Sequence, residues 1–247
     1  MPMNPDHLIY ITVCIGIVAF LYSSVGHAGA SGYIAVMTMF SMAPAAIKPT
    51  ALVLNIMVAC IGTWQFWRAG HFSWSFFWPF AILSIPFAFI GGYLNIPTHI
   101  YKILVGIVLL LSAVKFFIDS KEKPNPRAPS KPISYGVGAV LGLLAGFTGT
   151  GGGIFLTPLV ILMGWARTKT ASAVSALFIL VNSVSGLAGN LSATKYFPAF
   201  AWSFIASALI CGTAGSYLGS RKFSPVIIKR LLAVVLTIAG LKLIFTQ

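Results

Sequence analysis

The chain has 247 residues, 58% hydrophobic and only 8% charged, with 16 Lys and Arg against three acidic residues and a formal net charge of +13. Apolar runs of membrane-spanning length recur from Leu8 to Phe245, which excludes a soluble domain. Runs as continuous as Ile103 to Ile118 and Leu231 to Phe245 exclude the short alternating strands of a barrel, so the fold class expected is an all-α integral membrane protein.

Ten apolar segments are predicted, at about 8–25, 33–47, 50–67, 74–94 and 100–118, then 133–148, 153–166, 170–191, 197–219 and 226–245. The first is preceded by Asp6 and His7 and shows no small-residue cleavage site, so it reads as a retained helix. The second follows the polar stretch SSVGHAGASGY, Ser23 to Tyr33. It is short, reaching roughly 20–23 Å where the hydrocarbon core is roughly 30 Å thick. The aromatic runs WQFW (Trp64 to Trp67) and WSFFW (Trp74 to Trp78) flank Arg68 and His71 as an interfacial belt would. Pro79, Pro86 and Pro158 lie inside spans and are expected to kink or break them.

The one hydrophilic linker, Asp119 to Pro132, divides the chain into a first transmembrane repeat (1–118), a cytoplasmic linker (119–132) and a second transmembrane repeat (133–247). A shift of 127 pairs Asn55 with Asn182, Gly62 with Gly189, Gly92 with Gly219, Lys102 with Lys229 and Lys115 with Lys242. Near the front of each half a shift of 120 pairs Gly26, Gly29, Gly32 and Ile34 with Gly146, Gly149, Gly152 and Ile154, which sets His27 opposite Phe147. The second glycine cluster, AGFTGTGGGIF, also precedes a short segment. Each pair reads as a glycine-linked broken or re-entrant hairpin.

Charge parity sharpens this. If each hairpin returns to the side from which it came, Arg68, Lys115, Lys121, Lys123, Arg127, Lys131, Arg167, Lys169, Arg221, Lys222, Lys229 and Arg230 share one face, and Lys48, Lys102, Lys195 and Lys242 the other. That division of 12 to 4 assigns the first face to the cytoplasm and both termini to the outside; a full crossing by the first and sixth segments divides the same residues eight to eight. Five segments per half then make the two halves inverted repeats, an arrangement common in secondary transporters.

The composition also limits the chemistry. Asp6, Asp119 and Glu122 all lie outside the apolar segments, so neither a carboxylate metal cage nor a carboxylate proton relay can be built. Cys14, Cys60 and Cys211 are isolated and lack metal-ligand spacing. TGTGGGIF lacks the Lys-Ser/Thr ending of a nucleotide-binding loop, no nucleophile and base stand out, and the basic excess lies between apolar runs rather than in a nucleic-acid-binding stripe. The protein is therefore expected to be no enzyme, with no cofactor, no metal and no nucleic-acid partner.

What remains is a site for a small anion. Two glycine turns approaching from opposite faces would each open a helix whose N-terminus carries about half a positive charge and unpaired N–H groups. The substrate-binding residues expected from this are Ser24, Gly26, His27, Gly29, Ser31, Gly32 and Asn55 from the first half, with Thr148, Gly149, Thr150, Gly151, Gly152, Gly153, Ser175 and Asn182 from the second. Ser23 and Thr157 add hydroxyls, and Ser183 and Ser185 could extend a polar track. Helix packing by small residues competes with this for the glycines. Asn55 and Asn182 either hold helices together or touch substrate. His27 is the one titratable side chain in a glycine turn and is the proton-coupling candidate, a space-filling role being the alternative. Lys48 at an outer helix end and Arg167 with Lys169 at an inner one could draw an anion to each mouth, although loop charges of this kind more often mark topology.

SSVGHAGASGYIAV, GFTGTGGGIFLTPLVILMGW and ASAVSALFILVNSVSGLAGN together resemble the TauE/SafE sulfite-exporter family of membrane permeases, over essentially the whole chain. On that resemblance Gly149 to Gly153, Pro158, Ser175 and Asn182 match the second motif, whereas Ala30, Ser31 and His27 depart from a fuller glycine run in the first. The resemblance implies a bacterial inner-membrane exporter of sulfite or an organosulfur or sulfonate anion. The expectation is thus a secondary transporter working by alternating access at a midplane site. A passive channel for small anions or neutral solutes is the alternative. The expected partners are a small anion, the lipid bilayer and a coupling proton or sodium ion; the oligomeric state, a homodimer among the options, stays open.

Overall fold

The computed structural model describes residues 5–94, 99–118, 125–195 and 202–245, with the side chains of 5–7, 44, 99–105 and 243 not described. Asp119, Glu122, Lys121 and Lys123 of the linker, and the side chains of Asp6, His7 and Lys102, therefore lie outside the described residues.

Every element of the described residues is helical. The first half comprises α1 (Pro5–Ser24), α2 (Ala30–Met39), α3 (Pro44–Arg68), α4 (Trp74–Tyr93) and α5 (His99–Ile118). The second comprises α6 (Lys131–Thr148), α7 (Gly153–Met163), α8 (Thr168–Thr194), α9 (Trp202–Tyr217) and α10 (Pro225–Phe245). A π-helical turn, Leu218–Lys222, closes α9. Three helical stretches, Ala45–Arg68, Trp74–Tyr93 and Thr168–Thr194, are each long and apolar enough to cross a membrane.

Two expectations shift. The second segment begins earlier, at Ala30, and ends at Met39, because Phe40 to Ala43 leave the helix, with Ser41 at a φ of 54°, and Pro44 then starts α3. Lys48 consequently sits inside α3 rather than at a segment end. Pro79 and Pro86 lie within α4 and Pro158 within α7, so none of them breaks its helix.

Helices of the two halves pack on each other through small residues that let backbones meet. On α1 and α9, Thr12 bonds Ser203, Gly16 faces Ser207, and the Phe20 and Ser24 carbonyls face Gly215 and Gly219, so the two helices run in the same direction. On α4 and α6 the Phe80, Ser84 and Ala88 carbonyls face Gly138, Gly142 and Gly146, again in the same direction. In contrast, α3 and α8 run oppositely, with Asn55 at Ser183 and Gly62 at Ala176. So do α5 and α10, with Gly106 at Ile244 and Leu110 at Gly240.

Large apolar side chains cover the outside, among them Leu111 at 66% exposure, Ile210 at 71% and Ile118 at 81%. Water would penalise that surface, whereas lipid solvates it, which identifies a multi-pass membrane protein. Trp64, Trp67, Trp74 and Trp78 are also exposed; Trp74 stacks on Trp78, and the Arg68 guanidinium lies 5.7 Å from the Trp64 ring.

Candidate functional site

The helices α2 and α7, of 10 and 11 residues, reach only about 15 Å each, half of a hydrocarbon core. Each is opened by a left-handed glycine: Gly29, at a φ of 106°, is the N-cap of α2, and Gly152, at 79°, that of α7. Residues with a Cβ rarely adopt these angles, so glycine is what lets each chain turn sharply into its half-helix.

The two caps are 123 residues apart, as are the left-handed Gly26 and Gly149, which follow the ends of α1 and α6. The structural register is thus 123, not the 120 expected from matching glycines. His27 therefore stands opposite Thr150 rather than Phe147. Gly32 and Gly146, which the shorter shift placed in the turns, lie within helices: Gly32 packs on Val18 and Tyr22 of α1, and Gly146 on α4.

Neither N-cap has a side-chain cap bond of its own. Asn55 of α3 performs that task from a distance. Its Oδ1 accepts the Ala30 N–H at 2.9 Å, the first of the orphan donors of α2, while its Nδ2 donates to the Thr150 carbonyl and to Ser183 Oγ, both at 3.2 Å. One buried amide therefore joins the two glycine turns to α8.

His27 makes a second link. Its Nε2 is 2.8 Å from the Gly153 carbonyl and 3.1 Å from Thr157 Oγ1, and Thr157 donates to Ser175 Oγ at 2.7 Å. A carbonyl only accepts, so Nε2 carries the hydrogen and Nδ1 of the neutral ring is a bare acceptor. That Nδ1 is buried without a partner. So are Ser172 Oγ and Asn182 Nδ2, the latter on an amide whose Oδ1 accepts from Ser84 Oγ at 2.7 Å.

The remaining expected residues divide by role. Ser31 Oγ donates to Tyr22 Oη at 2.9 Å and Tyr33 Oη to the Ala28 carbonyl at 2.6 Å, which fixes the first turn. Ser24 donates to Leu21 O and Thr148 to Leu144 O, so these hydroxyls satisfy their own helix ends. Thr150 Oγ1 then gives its hydrogen to Thr148 Oγ1, 2.7 Å away. Ser185 bonds the Ile85 carbonyl at 2.6 Å, outside this cluster. Gly151 lies against Ser183 and Asn55, Gly153 against Ile179 and His27, and Gly149 against the stem of Lys48.

Asn55, Ser172, Ser175 and Thr157 are fully enclosed, and His27 is 4% exposed. Tyr22, Ser84 and Ser172 were not read from the sequence: a single serine or tyrosine in an apolar run carries no periodic signal. Two apolar cavities, of about 290 Å³ beside Leu109 and Phe155 and about 400 Å³ beside Phe89 and Val184, are lined by none of these residues. No cluster of metal-ligating side chains occurs among the described residues.

The chain is similar to several probable membrane transporters. The chain is 36% identical over 240 residues to the probable membrane transporter protein y4hK of Sinorhizobium fredii, covering 95% of this chain and 97% of that one. It is 26% identical to the probable membrane transporter protein YjnA of Bacillus subtilis, over 92% of this chain and 96% of that one. A third relative, the probable membrane transporter protein MJ0441 of Methanocaldococcus jannaschii, is 27% identical over 78% of this chain and 76% of its own. No solved structure matches the chain. Residues 11–243 match the family described as sulfite exporter TauE/SafE, and the chain belongs to that family.

Proposed function

We propose that this protein is a secondary transporter of a small anion, a sulfite or an organosulfonate, that binds between the two glycine turns. The observation that carries the reading is the junction itself: two half-length helices, one from each half of the chain, begin at turns held together by Asn55 and His27. Helix N-termini supply partial positive charge and N–H donors, and the described polar side chains around them are predominantly hydroxyls and amides, which suit an oxyanion. The sulfur comes from the family description.

An inverted repeat fits the packing. Such a repeat relates α3 to α8 and α5 to α10 by a two-fold axis in the membrane plane, which requires both pairs to run oppositely, as their contacts do. It also requires the α1–α9 and α4–α6 contacts to be counterparts, and both run in the same direction. In this scheme both termini face outside, the 119–132 linker faces the cytoplasm of a bacterial inner membrane, and export is the direction of transport.

Burial of the turn residues favours a carrier over an open channel. An anion reaches enclosed groups only if the halves rock apart on one side at a time, which is alternating access. The test is a proteoliposome uptake screen across sulfite, thiosulfate, sulfate and methanesulfonate. Saturable uptake of sulfite or the sulfonate supports the reading; uptake of none of the four by a folded, correctly inserted protein overturns it.

A further inference from the structure

Among the described residues, the enclosed polar atoms without a partner include His27 Nδ1, Ser172 Oγ and Asn182 Nδ2, with Thr63 Oγ1 apart from them in the chain. The segments that carry the first two touch each other. Gly26, which precedes His27 in the chain, lies directly against Ser172: a methyl group on it would fall 2.6 Å from Ser172 Cβ. A polar atom left bare in protein interior is costly, and an ordered water or a ligand offsets it.

The charge balance around this pair restricts that ligand. The titratable groups on the elements packed there are Tyr22 of α1, whose Oη accepts from Ser31, and Tyr33 of α2, which donates to Ala28. Lys48 of α3 rests on Gly149, Cys211 of α9 lies against Gly16, and α10 carries the buried Lys229. On α7 and α8, Thr157, Ser172 and Ser175 do not titrate, while Lys169 of α8, one turn before Ser172, donates to the Ser220 carbonyl at 3.3 Å; no described side chain in the whole protein is a carboxylate. The Gly153 carbonyl holds the one ring hydrogen on Nε2. The neutral ring thus turns the lone pair of Nδ1 outward, which repels an anion's oxygen. Adding one proton turns the same atom into a charged donor and supplies a full positive charge next to the buried anion.

Resting on the transporter reading above, we propose that each anion crosses together with one proton bound at His27 Nδ1, and that Ser172 Oγ donates to the same anion. The proton adds to the Nδ1 lone pair from the side on which the anion binds and leaves it on the side of release, with Nε2–H staying on Gly153 throughout.

The experiment uses the full chain in proteoliposomes carrying a trapped pH dye, with the membrane potential clamped by potassium and valinomycin. Methanesulfonate and sulfite are the probes, the former because it remains a monoanion and brings no acid proton of its own. Expected is internal acidification with uptake of both probes, and a several-fold rise in initial rate under an inward proton gradient that His27→Gln removes. Ser172→Ala is expected to raise the half-saturation concentration about tenfold with the proton-to-anion ratio kept. Acidification with sulfite alone places the proton on the substrate and overturns the His27 assignment, as does wild-type uptake of both probes without acidification. An unchanged half-saturation in Ser172→Ala removes Ser172 from the site. If neither probe is taken up, the transporter reading itself is overturned rather than the coupling.

Discussion

Asn55 and Thr150, 95 residues apart, meet at 3.2 Å, side-chain amide to backbone carbonyl, and the other end of the same amide caps α2 at Ala30. This makes Asn55 a fixed strut between the turns. Replacement by alanine leaves buried backbone donors and acceptors bare, each costing about 1–3 kcal/mol. Asn55→Ala is expected to lower the melting temperature in detergent markedly and to abolish uptake, read by differential scanning fluorimetry and vesicle flux. An unchanged melting temperature would show that these bonds are dispensable.

Asn182, which the sequence shift of 127 pairs with Asn55, is expected to behave differently. Asn182 uses Oδ1 on Ser84 and leaves Nδ2 unpartnered, so its truncation removes one bond rather than three. Asn182→Ala should therefore lose less stability than Asn55→Ala while raising the half-saturation concentration of the transported anion about tenfold, the effect of losing one donor to a charged ligand. Equal losses of stability in the two variants would contradict this asymmetry.

The glycines separate in the same way. A methyl group on Gly152 would lie 2.9 Å from Phe178 and force a φ of 79° on a residue with a Cβ, a cost of about 1–2 kcal/mol. Gly136, on the exposed side of α6, has open space around it, so alanine there gains helix propensity of about 0.5–1 kcal/mol. Thermal midpoints of Gly152→Ala and Gly136→Ala should move in opposite directions.

At the end of the bundle opposite the α2–α3 junction, His71 donates from Nε2 to the Ser220 carbonyl at 3.0 Å, and Lys169 reaches the same oxygen at 3.3 Å. Burial pushes the His71 pKa below its ordinary value and Lys169 adds to that, partly opposed by the Ser220 bond. The unfolded chain thus takes up this proton at about pH 6.5, before the folded protein does. The contribution of neutral His71 to stability is present above that pH and is lost as pH falls below it. Melting curves from pH 7.5 to 5 should fall less steeply for His71→Gln than for wild type; parallel curves would exclude this role.

Much of this was legible because apolar runs interrupted by glycine and proline mark helix ends directly: α4 starts where the pattern places it, α10 one residue earlier and α8 two residues earlier. The α6 start differs by two residues, at Lys131. The shortness of α2 and α7, and hence the half-helices, followed from the same reading. The break at Phe40 to Ala43 was hidden because its residues are themselves mostly apolar. The register of the turns was misjudged because a run of glycines aligns with itself at several offsets, and only the left-handed caps at Gly29 and Gly152 fix which glycine does what. Matching Asn55 with Asn182 was possible from sequence, but not that one is saturated with bonds and the other keeps a free donor, since that depends on Ser84 and Thr150 arriving from other helices.

The central claim, a carrier whose anion site lies between the two glycine turns, is tested most directly by counterflow. Proteoliposomes loaded with unlabelled sulfite and diluted into trace labelled sulfite should accumulate label transiently above equilibrium, and Gly152→Val, inserted at equal density, should abolish the overshoot. Label that only equilibrates, at a rate linear in concentration and unaffected by Gly152→Val, would contradict the account.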